Sequence, residues 1–295
     1  MARDARPERR STAWSRLVST SKQVLRQPMA IPALMVIFIV LFCAIFASLI
    51  APYNPIEQSP LDGLASPSRE HLLGTDHLGR DELSRMIYGS RVALAVGIGA
   101  VALGAAIGMP LGLVAGYMGR LADDLIMRVM DALVAFPGLI LTLALVAVFG
   151  RSERNLIAAI GLANVPWIAR VVRAQVLSLR EQDYVLAARS IGAGHLRIMG
   201  THIFPNTLAP VIVQGTLGMG YAILAEASLS YIGAGIQPPT PTWGSMLQFA
   251  FGFLHKAPLL SVLPGIAIFL LVLAFNVLGD IFRDVLDPRL RGSVR

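Results

Sequence analysis

Charge is scarce in this sequence. Of its 295 residues, 15% are Asp, Glu, Lys or Arg, against about 25% in a typical soluble domain. Apolar residues make up 55% and the mean hydropathy is +0.65. That balance excludes disorder, a collagenous repeat and an ordinary cytosolic enzyme, and it fits a chain whose surface largely meets lipid. Cysteine is limited to Cys43, inside an apolar run, so neither an intrachain disulfide nor a thiolate metal cluster is available. Lysine occurs only at Lys22 and Lys256. Neither belongs to a G-x-x-x-x-G-K-[ST] phosphate loop, which excludes an ATPase on this chain. The five histidines (His71, His77, His195, His202, His255) never pair four residues apart and have no cysteine partners, so no metal site is expected. A net charge of +7 taken alone would suit nucleic acid. The basic residues sit between apolar runs instead, which points to membrane lipid and to no nucleic-acid partner.

A spanning helix needs roughly 20 apolar residues, because about 1.5 Å of rise per residue must cover about 30 Å of hydrocarbon. Six windows meet or approach this: 31–50, 92–119, 132–150, 156–177, 207–225 and 257–279. An all-α integral membrane protein with six transmembrane helices follows. Placing the N-terminus inside puts 18 of the 25 basic residues in cytoplasmic segments, so the positive-inside rule predicts both termini in the cytoplasm. The first run is longer than the 7–15 apolar residues of a signal peptide and follows a longer tail. Residues 1–29 read as a cytoplasmic basic tail near anionic headgroups. Residues 30–91 read as the first transmembrane helix and an external segment, 92–282 as the membrane core, and 283–295 as a cytoplasmic tail.

No window carries buried ionisable residues of the sort that mark proton relays or ion pathways; the window 156–177 is weaker because Arg170 and Arg173 lie near its end, and Asp131 and Glu226 sit close to span ends. Gly104, Gly108, Gly112 and Gly116 recur every four residues, on one face of a helix, where two backbones can approach closely. Helix packing within this chain and a seam against another subunit both fit that stripe. Pro110 and Pro137 imply kinks. Thr75 is placed to cap a helix beginning near Asp76. Pro238, Pro239 and Pro241 stiffen an external connection, and Trp243 supplies a ring for the headgroup level. Beside that stretch, Glu226, Gln237 and Trp243 are expected to shape an external gate, with a structural hairpin as the equal alternative. From Tyr184 to Asn206 the chain is amphipathic, with Val185, Ala188, Ile191, Leu196, Ile198 and Met199 at helical spacings. Gly192 and Gly194 permit a tight turn there, and Pro205 begins the next element.

Within that stretch, Ala187-Ala188-Arg189, Gly192, Ile198 and Pro205-Asn206 resemble the EAA loop of binding-protein-dependent ABC importer permeases, with Leu186 where the motif has glutamate. Three more blocks are similar to the C-type subunit of dipeptide and oligopeptide permeases. They are LGTDHLGRDELSR from Leu73 with IYGSR from Ile87, AEASLSYIGAGIQPPTPTWG from Ala225, and NVLGDIFRDVLDPR from Asn276. The resemblance implies the type I ABC importer permease fold in the bacterial inner membrane, with a coupling loop over 178–206. Ala187, Ala188, Arg189, Gly192, Ile198 and Pro205 would then seat in a groove of an ATP-hydrolysing subunit. Ala187, Ala188 and Gly192 would form its small contact face, and Arg189 and Arg197 would be free to meet acids. It further implies a homologous B-type permease, two ATP-binding subunits that hold ATP and Mg, and an extracytoplasmic solute-binding protein. This chain itself would carry no catalytic residue and no cofactor. The substrate class would be di- or oligopeptides or a related small solute such as glutathione or a nickel chelate. The rival is a secondary transporter driven by an ion gradient, which needs intramembrane charges or a broken-helix ion site.

Overall fold

A computed structural model of the chain describes Val24 and residues 27–286. The basic tail expected over 1–29, and residues 287–295 of the other tail, lie almost wholly outside the described residues. Among the described residues nine α-helices follow one another, besides a 3-10 turn at Pro60–Asp62: α1 Ala30–Ile50, α2 Glu82–Met118, α3 Arg120–Val134, α4 Gly138–Phe149, α5 Glu153–Leu179, α6 Asp183–Ser190, α7 His195–Tyr231, α8 Trp243–Phe251 and α9 Leu259–Leu286. Among the described residues the only β-pairing is an isolated bridge between Thr75 and Asp81. Among the described residues five helices are long and apolar enough to cross a membrane, or six spans result if the bent pair α3–α4 counts as one.

The centre of the bundle is the seam between α2 and α5, and the glycine stripe makes it. A Cβ at Gly108 would lie 2.9 Å from the Val165 carbonyl oxygen, and one at Gly112 would lie 2.5 Å from that of Ala169. At Gly116 it would meet Val176 Cβ at 2.7 Å. Only hydrogen fits at these positions, so the stripe faces α5 of the same chain. The contacts advance together along both helices, from Gly104 with Gly161 to Gly116 with Val176, so α2 and α5 run parallel. The chain therefore returns from one end of the bundle to the other between them, through α3 and α4. At about 1.5 Å per residue the 12-residue α4 covers only about 18 Å, too little for a bilayer by itself.

Several expectations are corrected here. The window 132–150 is not one helix: α3 and α4 meet at 91°. Pro137 has no N–H to continue the ladder and disfavours helical backbone at the residue before it, and α3 ends at Val134, so the chain breaks where hydropathy stays uniformly high. Helix α2 begins at Glu82, earlier than the apolar run and inside the segment assigned to the exterior. Thr75 does not cap it. Asp81 does, its carboxylate accepting from the Ser84 N–H at 2.8 Å, while the Thr75 hydroxyl donates to the Asp62 carbonyl. The fifth span starts at His195, with a π-turn over Ile198–Ile203 just before Pro205, where the ring and missing N–H disturb the regular ladder. Trp243 does not present its ring at the protein surface. It is 4% exposed, its Nε1 donates to the Met86 carbonyl at 3.0 Å, and Gly89 leaves room for its ring.

Candidate functional site

The loop at the α6 end of the bundle has one anchored face and one bare face. Val185, Ala188, Ile198 and Ile203 are buried in a cluster with Tyr117 of α2 and Ile168, Val172 and Val176 of α5. The Tyr117 hydroxyl and His195 Nδ1 are hydrogen-bonded at 3.0 Å, and the Arg189 guanidinium lies 6.0 Å from the centre of the Tyr117 ring. On α3, Asp123 receives both Nε (2.5 Å) and Nη2 (2.6 Å) of Arg173, and Asp131 receives Arg170 at 2.7 Å. These pairs hold α3 on α5. Val211 of α7 joins the same cluster, so the loop is fastened to α2, α5 and α7.

Its outward side is more apolar than the sequence suggested. Ile191 is 85% exposed, Leu196 82% and Leu186 41%, with Ala187, Arg189, Gly192 and Pro205 also exposed. Ala188 and Ile198, expected at a docking face, are buried, whereas Ile191 and Leu196, members of the same amphipathic pattern, are exposed. Helical periodicity does not carry across the turn. Gly192 has φ +80°, its N–H donates to the Arg189 carbonyl at 3.0 Å, and the Ala193 N–H donates to that of Ala188 at 3.1 Å. That reversal leaves Ile191 beyond the end of α6 and restarts the phase at His195.

At the opposite end, the three residues expected at a gate have different surroundings. Glu226 is 2% exposed and accepts from the Ser230 hydroxyl at 2.7 Å. Trp243 is buried as described. Gln237 alone is exposed, its Nε2 donating to the Gly235 carbonyl at 3.0 Å. The sequence reading missed a buried charged cluster next to them. Asp76 pairs with Arg80 at 2.6 Å and lies 3.5 Å from Arg85 Nε. Arg85 Nη1 donates to the Pro55 carbonyl at 3.0 Å, and Asp81 meets His71 Nδ1 at 2.9 Å. Glu82 is buried beside them, one carboxylate oxygen having no hydrogen-bond partner among the described residues. His77 stacks near Phe249 and Phe253, and burial holds its imidazole below the ordinary value. The signal was present as opposite charges four residues apart, Asp76 with Arg80 and Asp81 with Arg85.

Residues 108–292 match the family described as binding-protein-dependent transport system inner membrane component. The chain belongs to that family. Residues 13–67 match the N-terminal TM domain of oligopeptide transport permease C. The permease is 44% identical to the dipeptide transport system permease protein DppC of Alkalihalophilus pseudofirmus, over 97% of this chain and 94% of that one. It is 43% identical to the di/tripeptide transport system permease protein DppC of Pseudomonas aeruginosa, over 90% and 89%. It is 44% identical to the glutathione transport system permease protein GsiD of Escherichia coli, over 97% and 94%. Among solved structures, the inward-facing MetNI methionine ABC transporter superposes with TM-score 0.54 at 20% identity, covering 68% of this chain and 96% of that one. An amino acid ABC transporter determined with histidines gives 0.52 at 18%, covering 68% and 93%. These two share the fold. The permease is therefore a multi-pass inner-membrane subunit of an ABC importer, a transport component and not an enzyme.

Proposed function

We propose that this permease forms half of a translocation path for di- or oligopeptides, or for a related small solute such as glutathione. Its relatives' names carry the substrate class, and the substrate is chosen by the solute-binding protein that delivers it. A homologous B-type permease supplies the other half. Two ATP-binding subunits inside hold ATP and Mg, and the chain contributes no group to hydrolysis. Counting α3–α4 as one crossing gives six spans; an even number leaves both chain ends and the α6 loop on one side, and the arginine distribution supports reading that side as the cytoplasm.

The observation that carries this reading is the apolar ridge of Leu186, Ile191 and Leu196 on a loop otherwise fastened to the bundle. Three large apolar side chains left exposed on one short loop support reading it as a protein interface. Because Val185, Ala188 and Ile198 tie the same loop to α2, α5 and α7, a partner that moves the ridge also tilts those helices. ATP binding and hydrolysis elsewhere thereby shift the bundle between outward-open and inward-open states. Gln237 stays a candidate for the external gate, while Glu226 and Trp243 support the helix ends behind it.

The test is capture of the purified ATP-binding subunit on the permease pair. Ile191→Asp with Leu196→Asp is expected to abolish capture while detergent-extracted yield and thermal stability stay at wild-type levels. Undiminished capture would remove the ridge from the interface.

A further inference from the structure

Two cavities line the side of the molecule where α3 and α4 break. The upper, of about 490 Å³, is bounded by Phe136, Pro137 and Gly138 of the break and by Asn164, Gln214 and Tyr221. The lower, of about 740 Å³, opens towards the α6 loop past Gln175, Ser178 and Asn206. Gln214 borders both, so the two form one groove. Its walls are single helix faces: Asn164, Val171, Gln175 and Ser178 on α5, and Asn206, Pro210, Gln214 and Tyr221 on α7, each at steps of three, four or seven residues. From Asn164 to Ser178 the wall is about 21 Å long at about 1.5 Å per residue.

The lining is largely apolar, with a few neutral polar side chains set into it. Arg283, at the loop end, is the one charged side chain among the lining residues. Gln175, Gln214 and the Tyr221 hydroxyl make no hydrogen bond among the described residues. Asn164 and Asn206 use only their amide N–H groups, towards the Ile160 and His202 carbonyls, which leaves both side-chain oxygens free. Unpaired amides facing hydrocarbon would each cost on the order of 2 kcal/mol or more. Non-helical backbone at membrane depth, as at 135–137, persists only inside protein or against a water-filled space. Groove and break lie on the same side, so that side does not face lipid.

We infer that this groove is the wall of the translocation path supplied by this chain, and that Asn164, Gln175, Gln214 and Asn206 are a ladder of neutral groups for the amides of a passing peptide. The inference rests on the peptide-permease reading above. A ladder without charge suits cargo whose side chains vary but whose backbone does not: each rung binds weakly and releases, as conduction requires.

The test uses the full importer with its second permease, ATP-binding subunits and binding protein in proteoliposomes, in a Cys43→Ser background. Single variants Gln214→Cys, Gln175→Cys and Ile212→Cys are exposed to a cationic methanethiosulfonate reagent. Ile212 is half exposed on α7 and does not line the groove. Gln214→Cys and Gln175→Cys are expected to react at least tenfold faster than Ile212→Cys. Their adducts should block ATP-dependent uptake of labelled dialanine, and dialanine under turnover should slow the reaction. Equal rates at all three positions, or adducts that leave uptake unchanged, would overturn the inference; a second permease packed into the groove would give that result. Uptake by the unmodified Cys43→Ser importer reads the underlying function separately. If neither dialanine nor glutathione enters, the peptide reading fails and the ladder's role with it, while the rate contrast still decides whether the groove is an aqueous wall.

Discussion

Gly192 offers a graded test of the coupling loop. Its φ is +80°, and a Cβ there would have nothing within 4 Å. A side chain at this position therefore meets no clash, and its effect is confined to the backbone. Holding an L-residue in the left-handed region costs about 1–2 kcal/mol; Asn and Asp tolerate it best, and β-branched residues least. The free loop can escape this strain by relaxing to negative φ, which swings Ile191 and Leu196 relative to α6. Docking would then restore the turn at that cost, weakening capture of the ATP-binding subunit by about 5- to 30-fold. Gly192→Asn should bind nearly as wild type, Gly192→Ala should lose about fivefold, and Gly192→Val should lose most. Gly192→Asp belongs with the mild variants, because Asp tolerates positive φ nearly as well as Asn. Titrating the ATP-binding subunit onto immobilised permease, with stimulated ATP hydrolysis alongside, reads the series directly. Thermal stability should not change, because the position is exposed. A Gly192→Val permease that docks as tightly as wild type would refute the argument, as would an order that ignores tolerance of positive φ.

Other substitutions probe the framework. Gly112→Leu would drive a side chain into the Ala169 carbonyl and Val172 and should cost about 1–3 kcal/mol or more. That should appear as a lower melting temperature in detergent, whereas Gly194→Ala, with open space around it, should melt as wild type. Arg85→Met removes the donor to Pro55 and leaves Asp76 with Arg80 alone; loss of a buried partner should cost about 3–5 kcal/mol, read in the same melt. Trp243→Phe loses one hydrogen bond, about 0.5–1.5 kcal/mol, and Trp243→Ala about 3–5 kcal/mol. Both should lower uptake in proportion to folded permease. Uptake that falls with assembly intact would restore Trp243 to a gating role.

The sequence made the membrane character, the approximate spans and the position of the loop legible, because apolar runs and glycine spacing record them directly. The break at Phe136 and Pro137 escaped a hydropathy window, which averages polarity and is blind to direction; the proline was the local sign. The facing of α6 escaped because an eight-residue helix followed by a left-handed turn resets the phase, so Ile191 and Leu196 could not be assigned from Val185 and Ala188. The charged cluster of Asp76, Arg80, Asp81 and Arg85 looked like a solvated external loop, since charge in sequence does not reveal burial. Asn164, Gln175 and Gln214 gave no signal, because neutral amides within apolar runs carry no charge to mark them. Neutral amides on a common face emerge only once α5 and α7 are set side by side.

The central claim is that this permease moves solute only on energy delivered through its α6 loop by a separate ATP-binding subunit. Its most direct test is uptake of labelled dialanine and glutathione into proteoliposomes containing the complete importer, with all ion gradients collapsed by ionophores. ATP supplied on the loop side should drive uptake of at least one of these, and the Ile191→Asp, Leu196→Asp double variant should abolish it. Uptake that needs an ion gradient and continues without ATP, or that survives loss of the ridge, would contradict the account.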